Sequence, residues 1–197
     1  MIKKILTIFA VFIFAFSVLS LSVLKVAAKA PIVNKPGQVA PVVTLAPTPK
    51  PEIDYYLPYP GILPDHPLYS LKAIRDRIWL WLTTDPVRKA QLMTLFADKR
   101  LGAGRVLVEG NKINLGLSTL EKGEKYLERA VGQLEEAKKA GKTIKEEGGN
   151  LSLALQKHEE VLTKLGDRLT GEEKAALEKI LSYPKNLYQR LQALLSE

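Results

Sequence analysis

The feature that most restricts this chain is a run of about twenty residues, Ile5 to Leu24, without a single charge. It is apolar on every face and lacks the 3.6-residue alternation of a helix that lies half in water. Lys3 and Lys4 precede it, and Lys25 with the small residues Val26, Ala27 and Ala28 follow it. A basic start, an apolar core and small residues at a cleavage site make the layout of a secretory signal. Two readings remain open. Val26 and Ala28 fit the small-x-small pocket of a signal peptidase, whereas the length of the run fits a retained anchor, because signal cores run about 7–15 residues and a spanning helix needs about 20. Residues 1–30 are therefore expected to be a signal peptide or an uncleaved membrane anchor. Under either reading the rest of the protein is extracytoplasmic, membrane-anchored or secreted. Lys3 and Lys4 stay inside, although Lys25, Lys29 and Lys35 weaken the asymmetry.

Residues 31–54 read as a linker. Proline recurs at 31, 36, 41, 47, 49 and 51. Each proline removes a backbone donor and fixes φ, which disfavours both helix and central strand. Such a segment is extended and acts as a semi-rigid spacer.

An exported chain with no cysteine rests its fold on packing alone. The same absence excludes a cysteine-anchored lipoprotein, a thiol enzyme and a thiolate metal site. Of the 29 basic residues, four lie in or beside the export segment, and the remaining 25 face 21 acids. That mild excess does not imply nucleic acid.

Residues 55–197 carry helical periodicity, and five helices are predicted at about 67–83, 86–109, 114–140, 150–168 and 171–195. Asp65-His66-Pro67 and Thr84-Asp85-Pro86 each place a polar residue before proline, as helix starts do. Leu68, Leu71, Ile74, Ile78 and Trp81 step by three and four along one stripe. Met93, Phe96, Ala97, Leu101, Gly104 and Val108 do so on the second helix. On the third, Leu120, Leu127 and Leu134 alternate with Gly123, Ala130 and Ala137, a seam that admits a partner helix closely. Leu151, Leu155, His158, Leu162, Leu165 and Leu169 form the fourth stripe, beginning after a break at Gly148-Gly149. Thr170 and Glu173 make a capping box for the fifth, within which Pro184 is expected to kink or split the helix. The fold class is all-α: an export helix, a proline-rich linker and a bundle of about five helices.

The chemical inventory is thin. His158-Glu159-Glu160 lacks the second histidine of a zinc-protease helix, and Gly102 and Gly104 do not make a phosphate loop. His158 is expected to be a core histidine with a hydrogen-bond partner, and His66 to serve helix capping. The Glu-Glu pairs at 135–136, 146–147, 159–160 and 172–173 read as solvated faces or first-turn acids. No catalytic residue, metal ligand or cofactor is expected. One asymmetry stands out between Lys72 and Arg105. There Lys72, Arg75, Arg77, Arg88, Lys89, Lys99, Arg100 and Arg105 face only Asp76, Asp85 and Asp98. These eight are candidate contacts for an anionic surface, either lipid headgroups or envelope polymer.

The stretch Tyr55 to Tyr69 interleaves prolines with aromatic and aliphatic residues, and it is expected to lie against the bundle. Its core, Leu-Pro-Tyr-Pro-Gly-Ile-Leu-Pro-Asp-His-Pro-Leu-Tyr, resembles an uncharacterised bacterial family known as a domain of unknown function and found in exported proteins. The likeness continues through Leu71 to Ile78, Phe96 to Leu101 and Lys157 to Leu162, and so covers most of Leu57 to Leu195. It implies export and helicity and carries over no activity. The expected function is a non-catalytic, exported helical interaction module at the cell surface or envelope. Its expected partners are anionic lipid, envelope polymer or another envelope protein. The alternatives are an extracytoplasmic sensor or chaperone-like protein that responds to metal or unfolded protein, which His66 and His158 coming close in space would favour, and, further off, a carboxylate-based hydrolase.

Overall fold

The structure, a computed structural model, describes residues 53–196. The export segment and the linker as far as residue 52 lie outside the described residues. All regular structure among those residues is helical: α1 (Tyr69–Leu82), α2 (Pro86–Glu109), α3 (Ile113–Lys139), α4 (Lys145–Gly166) and α5 (Gly171–Ser196).

Local chemistry explains the helix ends. The Asp85 side chain caps α2 by accepting from the Arg88 amide at 2.9 Å, with Pro86 in the first turn. Helix α1 begins one turn later than Asp65-His66-Pro67 suggests, with Leu68 at the N-cap and no side-chain bond from that residue. The Asp65 carboxylate pairs with Lys112 at 2.6 Å, and His66 Nδ1 accepts from the Leu68 amide at 3.1 Å, just ahead of α1. Helix α4 starts at Lys145, earlier than Gly148-Gly149 suggests. A Cβ at Gly148 would stand 2.5 Å from Leu195 Cδ2, so this glycine makes room for α5 rather than ending a helix. Helix α5 is not split at Pro184; it runs through that buried residue.

Helices α2 and α3 pair most intimately. Gly104 and Gly116 face each other there, and a Cβ on either would meet Leu120 or Val108 side-chain carbon at 2.5 Å. Gly123, Ala130 and Ala137 are buried along the same seam, as the seven-residue spacing predicts. Helices α4 and α5 close the bundle, and Arg190 of α5 grips Glu135 of α3 with two bonds of 2.6 and 2.7 Å. The core divides into two apolar clusters. One gathers Phe96, Leu127, Leu134, Leu151 and Leu191, and the other Leu101, Leu120, Leu162, Leu165 and Leu177.

Helix α1 stands apart, since it touches α2 alone among the helices. Its inward side is narrow: Asp76 and Leu80 are buried, with Tyr69, Ala73 and Thr83 half-buried along the same line. Trp79 meets Phe96 edge-on, with centroids 6.2 Å apart.

Candidate functional site

The boundary between the two apolar clusters is ionic. On α2, Asp98 falls between Ala97 of one cluster and Leu101 of the other. On α3, Glu124 falls between Leu127 and Leu120, and on α4, His158 falls between Leu155 and Leu162. His158 Nε2 lies 3.0 Å from Asp98 Oδ1, and Nδ1 lies 2.7 Å from Glu124 Oε1. Carboxylates only accept, and a neutral imidazole donates from one nitrogen only, so a ring bonded to two carboxylates is an imidazolium. The pKa follows from competing influences. Complete burial, the largest single one, disfavours the charged ring; the Glu124 charge, the bonds to Asp98 and Glu124 and the Asp98 charge together outweigh it and push the pKa up to about 9. Glu124 Oε2 is buried and has no hydrogen-bond partner among the described residues.

A fourth member comes from the Tyr/Pro box. The Tyr55 hydroxyl donates to Asp98 Oδ2 at 2.7 Å. Burial, and then the Asp98 charge and bond, push the phenol well above its ordinary range, so it stays protonated and donating. The backbone just before it is clamped to α4. The Ile53 amide donates to Glu160 Oε2 at 3.1 Å, and Lys157 Nζ donates to the Ile53 carbonyl at 3.3 Å. From the end of the expected linker into the box the chain runs extended, with Ile53, Tyr55 and Leu57 turned inward and Asp54 and Tyr56 outward. Pro60 sits over Gly102, and Lys72 Nζ holds the Pro60 carbonyl at 2.7 Å. The box therefore lies against the bundle at Tyr55, Leu57 and Pro60, whereas Tyr56, Tyr59, Ile62 and Leu68 are exposed.

The eight basic candidates do not share one surface. Lys72, Arg75 and Lys99 line a cleft with Tyr59, Ile62, Leu68 and Leu71. Arg88 lines another beside Trp79 and Leu82. Arg105 belongs to a third, with Lys164 and Arg168. Arg100 is engaged internally, stacked 4.2 Å from the Tyr126 ring centroid and bonded to the Phe96 carbonyl. Arg77 is exposed on α1, and Lys89 is half-buried on α2. Of the Glu-Glu pairs, Glu146 and Glu147 are first-turn acids of α4, as expected, but Glu147 is buried, and burial raises its pKa against bonds to Gln91 and Asn150.

Sequence reasoning missed Asp98 and Glu124 as partners of His158. The available signal was a charge inside an apolar stripe on each of three helices. It also missed where the first stripe points. Leu71, Ile74, Ile78, Trp81 and Leu82 are exposed, Leu71 by 64% and Trp81 by 79%.

Among known proteins, a family model described as a domain of unknown function, DUF5667, matches residues 61–172. The chain belongs to the DUF5667 family. The matched stretch of this DUF5667 chain begins at the turn-forming Gly61 (φ +71°) and takes in α1 to α4, including Asp98, Glu124 and His158. Tyr55 and nearly all of α5 lie beyond it. No curated protein and no solved structure matches the chain.

Proposed function

We propose that this DUF5667 chain is a non-catalytic, exported helical interaction module held at the cell surface or envelope, and that α1 is its contact face. One observation carries this reading: the apolar stripe of α1 is turned to solvent on a helix whose other side is already packed. Exposed apolar patches of this kind mark interaction sites. The ionic layer supports the non-catalytic half of the reading. Asp98 and Glu124 converge, as a hydrolase would ask, yet they converge on an imidazolium whose two N–H groups both point at them. All three side chains are sealed from solvent. The same bonds argue against a histidine-based metal sensor. Both nitrogens of His158 face carboxylates, and His66 Nδ1 accepts from the Leu68 amide.

The test is a photo-crosslinking amino acid at position 74 of the full-length chain in its native envelope. Adducts with an envelope component, lost on mutating neighbouring Leu71 to Asp, are the expected result. No adduct at any exposed position of the stripe would refute the reading.

A further inference from the structure

We infer that α1 is an in-plane membrane helix, which sinks its apolar stripe into the headgroup region of an anionic bilayer while the bundle stays in water. This rests on the proposed envelope location and names the partner of that same face.

At about 100° per residue, Leu71, Ile74, Ile78, Trp81 and Leu82 fall on one side of α1, directly opposite the line of Tyr69, Ala73, Asp76 and Leu80 that meets α2. Arg75 and Arg77 fall on the two shoulders of the exposed stripe, one on each side. Both are exposed. A helix that lies in a membrane interface has this profile: aliphatic and tryptophan side chains on one face, with long basic side chains flanking it and reaching back to phosphate. Beyond the helix start, Tyr59, Ile62 and Leu68 continue the exposed apolar surface, and Lys72 and Lys99 line the cleft beside it. At 14 residues α1 is shorter than the roughly 20 a spanning helix needs, which suits a contact along the surface.

Charge selects lipid over a second copy of the chain. The one acid on α1, Asp76, is buried and bonded to Arg75 at 2.6 Å. Two copies joined stripe to stripe would bring the Arg77 shoulders together, and the one acid on α1 is already paired with Arg75. Anionic headgroups supply the missing negative charge. Retained as an anchor, the uncharged run Ile5–Leu24 would bring a bilayer to the same chain.

The two tryptophans of the protein, Trp79 and Trp81, both lie in α1, so fluorescence reads this helix even in the full-length chain. The Trp79→Phe variant leaves Trp81 as sole reporter. It is reconstituted in phosphatidylcholine vesicles with and without phosphatidylglycerol, using brominated acyl chains as quencher. The expected result is blue-shifted, quenched Trp81 emission in the anionic vesicles and water-like emission in the neutral ones. Ile78→Asp should abolish the shift with the helical circular dichroism unchanged. Arg77→Gln should lower the bound-to-free ratio of α1 about five-fold. Water-like, unquenched Trp81 in anionic vesicles overturns the inference. So does shielding that follows protein density rather than lipid charge, which would assign the face to a second copy. If position 74 crosslinks to an envelope protein while Trp81 stays unquenched, the module reading stands and the lipid assignment falls. If neither occurs, both fall.

Discussion

Tyr55 and His158 hold the two oxygens of one carboxylate, that of Asp98, at 2.7 and 3.0 Å. The segment entering the domain is thereby bonded to the same acid that anchors the buried imidazolium. The ionic layer therefore joins α2, α3, α4 and the box at one point.

The first prediction concerns pH. His158 has a folded pKa raised to about 9, above its unfolded value of 6.5. Its contribution to stability is complete below 6.5 and is lost as pH rises through about 9. The size is on the order of a few kcal/mol. Tyr55 titrates in the same direction, but only above the ordinary tyrosine range. Urea midpoints should therefore fall between about pH 6 and pH 9. The His158→Leu variant should show a flatter profile over that window. A wild-type midpoint that rises or stays level would contradict the imidazolium assignment.

The second prediction separates the charge from the space it fills. His158→Leu leaves two buried carboxylates without a countercharge and should cost about 3–5 kcal/mol. Replacing all three charged residues, with Asp98→Leu, Glu124→Met and His158→Leu, should recover much of that loss, because buried ion networks seldom outperform well-packed apolar ones. Equilibrium urea denaturation measures both. A triple variant less stable than the single one would mean that the layer contributes net stability.

The third prediction uses glycines as spacers. Gly104→Ala and Gly116→Ala each push a methyl into a side chain across the α2–α3 interface and should cost about 1–3 kcal/mol. Gly132, mid-way along α3, has nothing within 4 Å of a Cβ position. Gly132→Ala should stabilise by about 0.5–1 kcal/mol through helix propensity. Thermal melts of the three variants check the order, and equal effects would refute the close approach.

The fourth prediction concerns topology. An alkaline phosphatase fusion after Lys50 should be active, because an uncharged run of spanning length with a basic start precedes it. An inactive fusion paired with an active cytoplasmic reporter would place the domain inside the cell and remove the envelope reading.

Much of the bundle was legible because its helices obey short-range rules. Asp85-Pro86 announced the start of α2, and the alternation of Leu120, Leu127 and Leu134 with small residues announced the α3 seam. What the sequence withheld was what covers each face. Periodicity located the stripe of Leu71, Ile74 and Ile78 but could not say that α1 would turn it outward and bury Asp76 and Leu80 instead. Gly148 was ambiguous for a similar reason: a helix break and a seat for Leu195 call for the same residue. The ionic layer was visible only in pieces. His158 stood out on its stripe, whereas Asp98 and Glu124 looked like ordinary surface acids until three helices brought them together.

The attachment at Ile53 also has a mechanical meaning. Any tension carried along the chain from its N-terminal side enters the domain at this residue, where Glu160 and Lys157 hold the backbone from both its amide and its carbonyl. The next bond in the line of pull is Tyr55 to Asp98. Force is passed to α4 through the first of these anchor points and to α2 through the second. A pull on the chain is thus shared at once between two helices of the bundle.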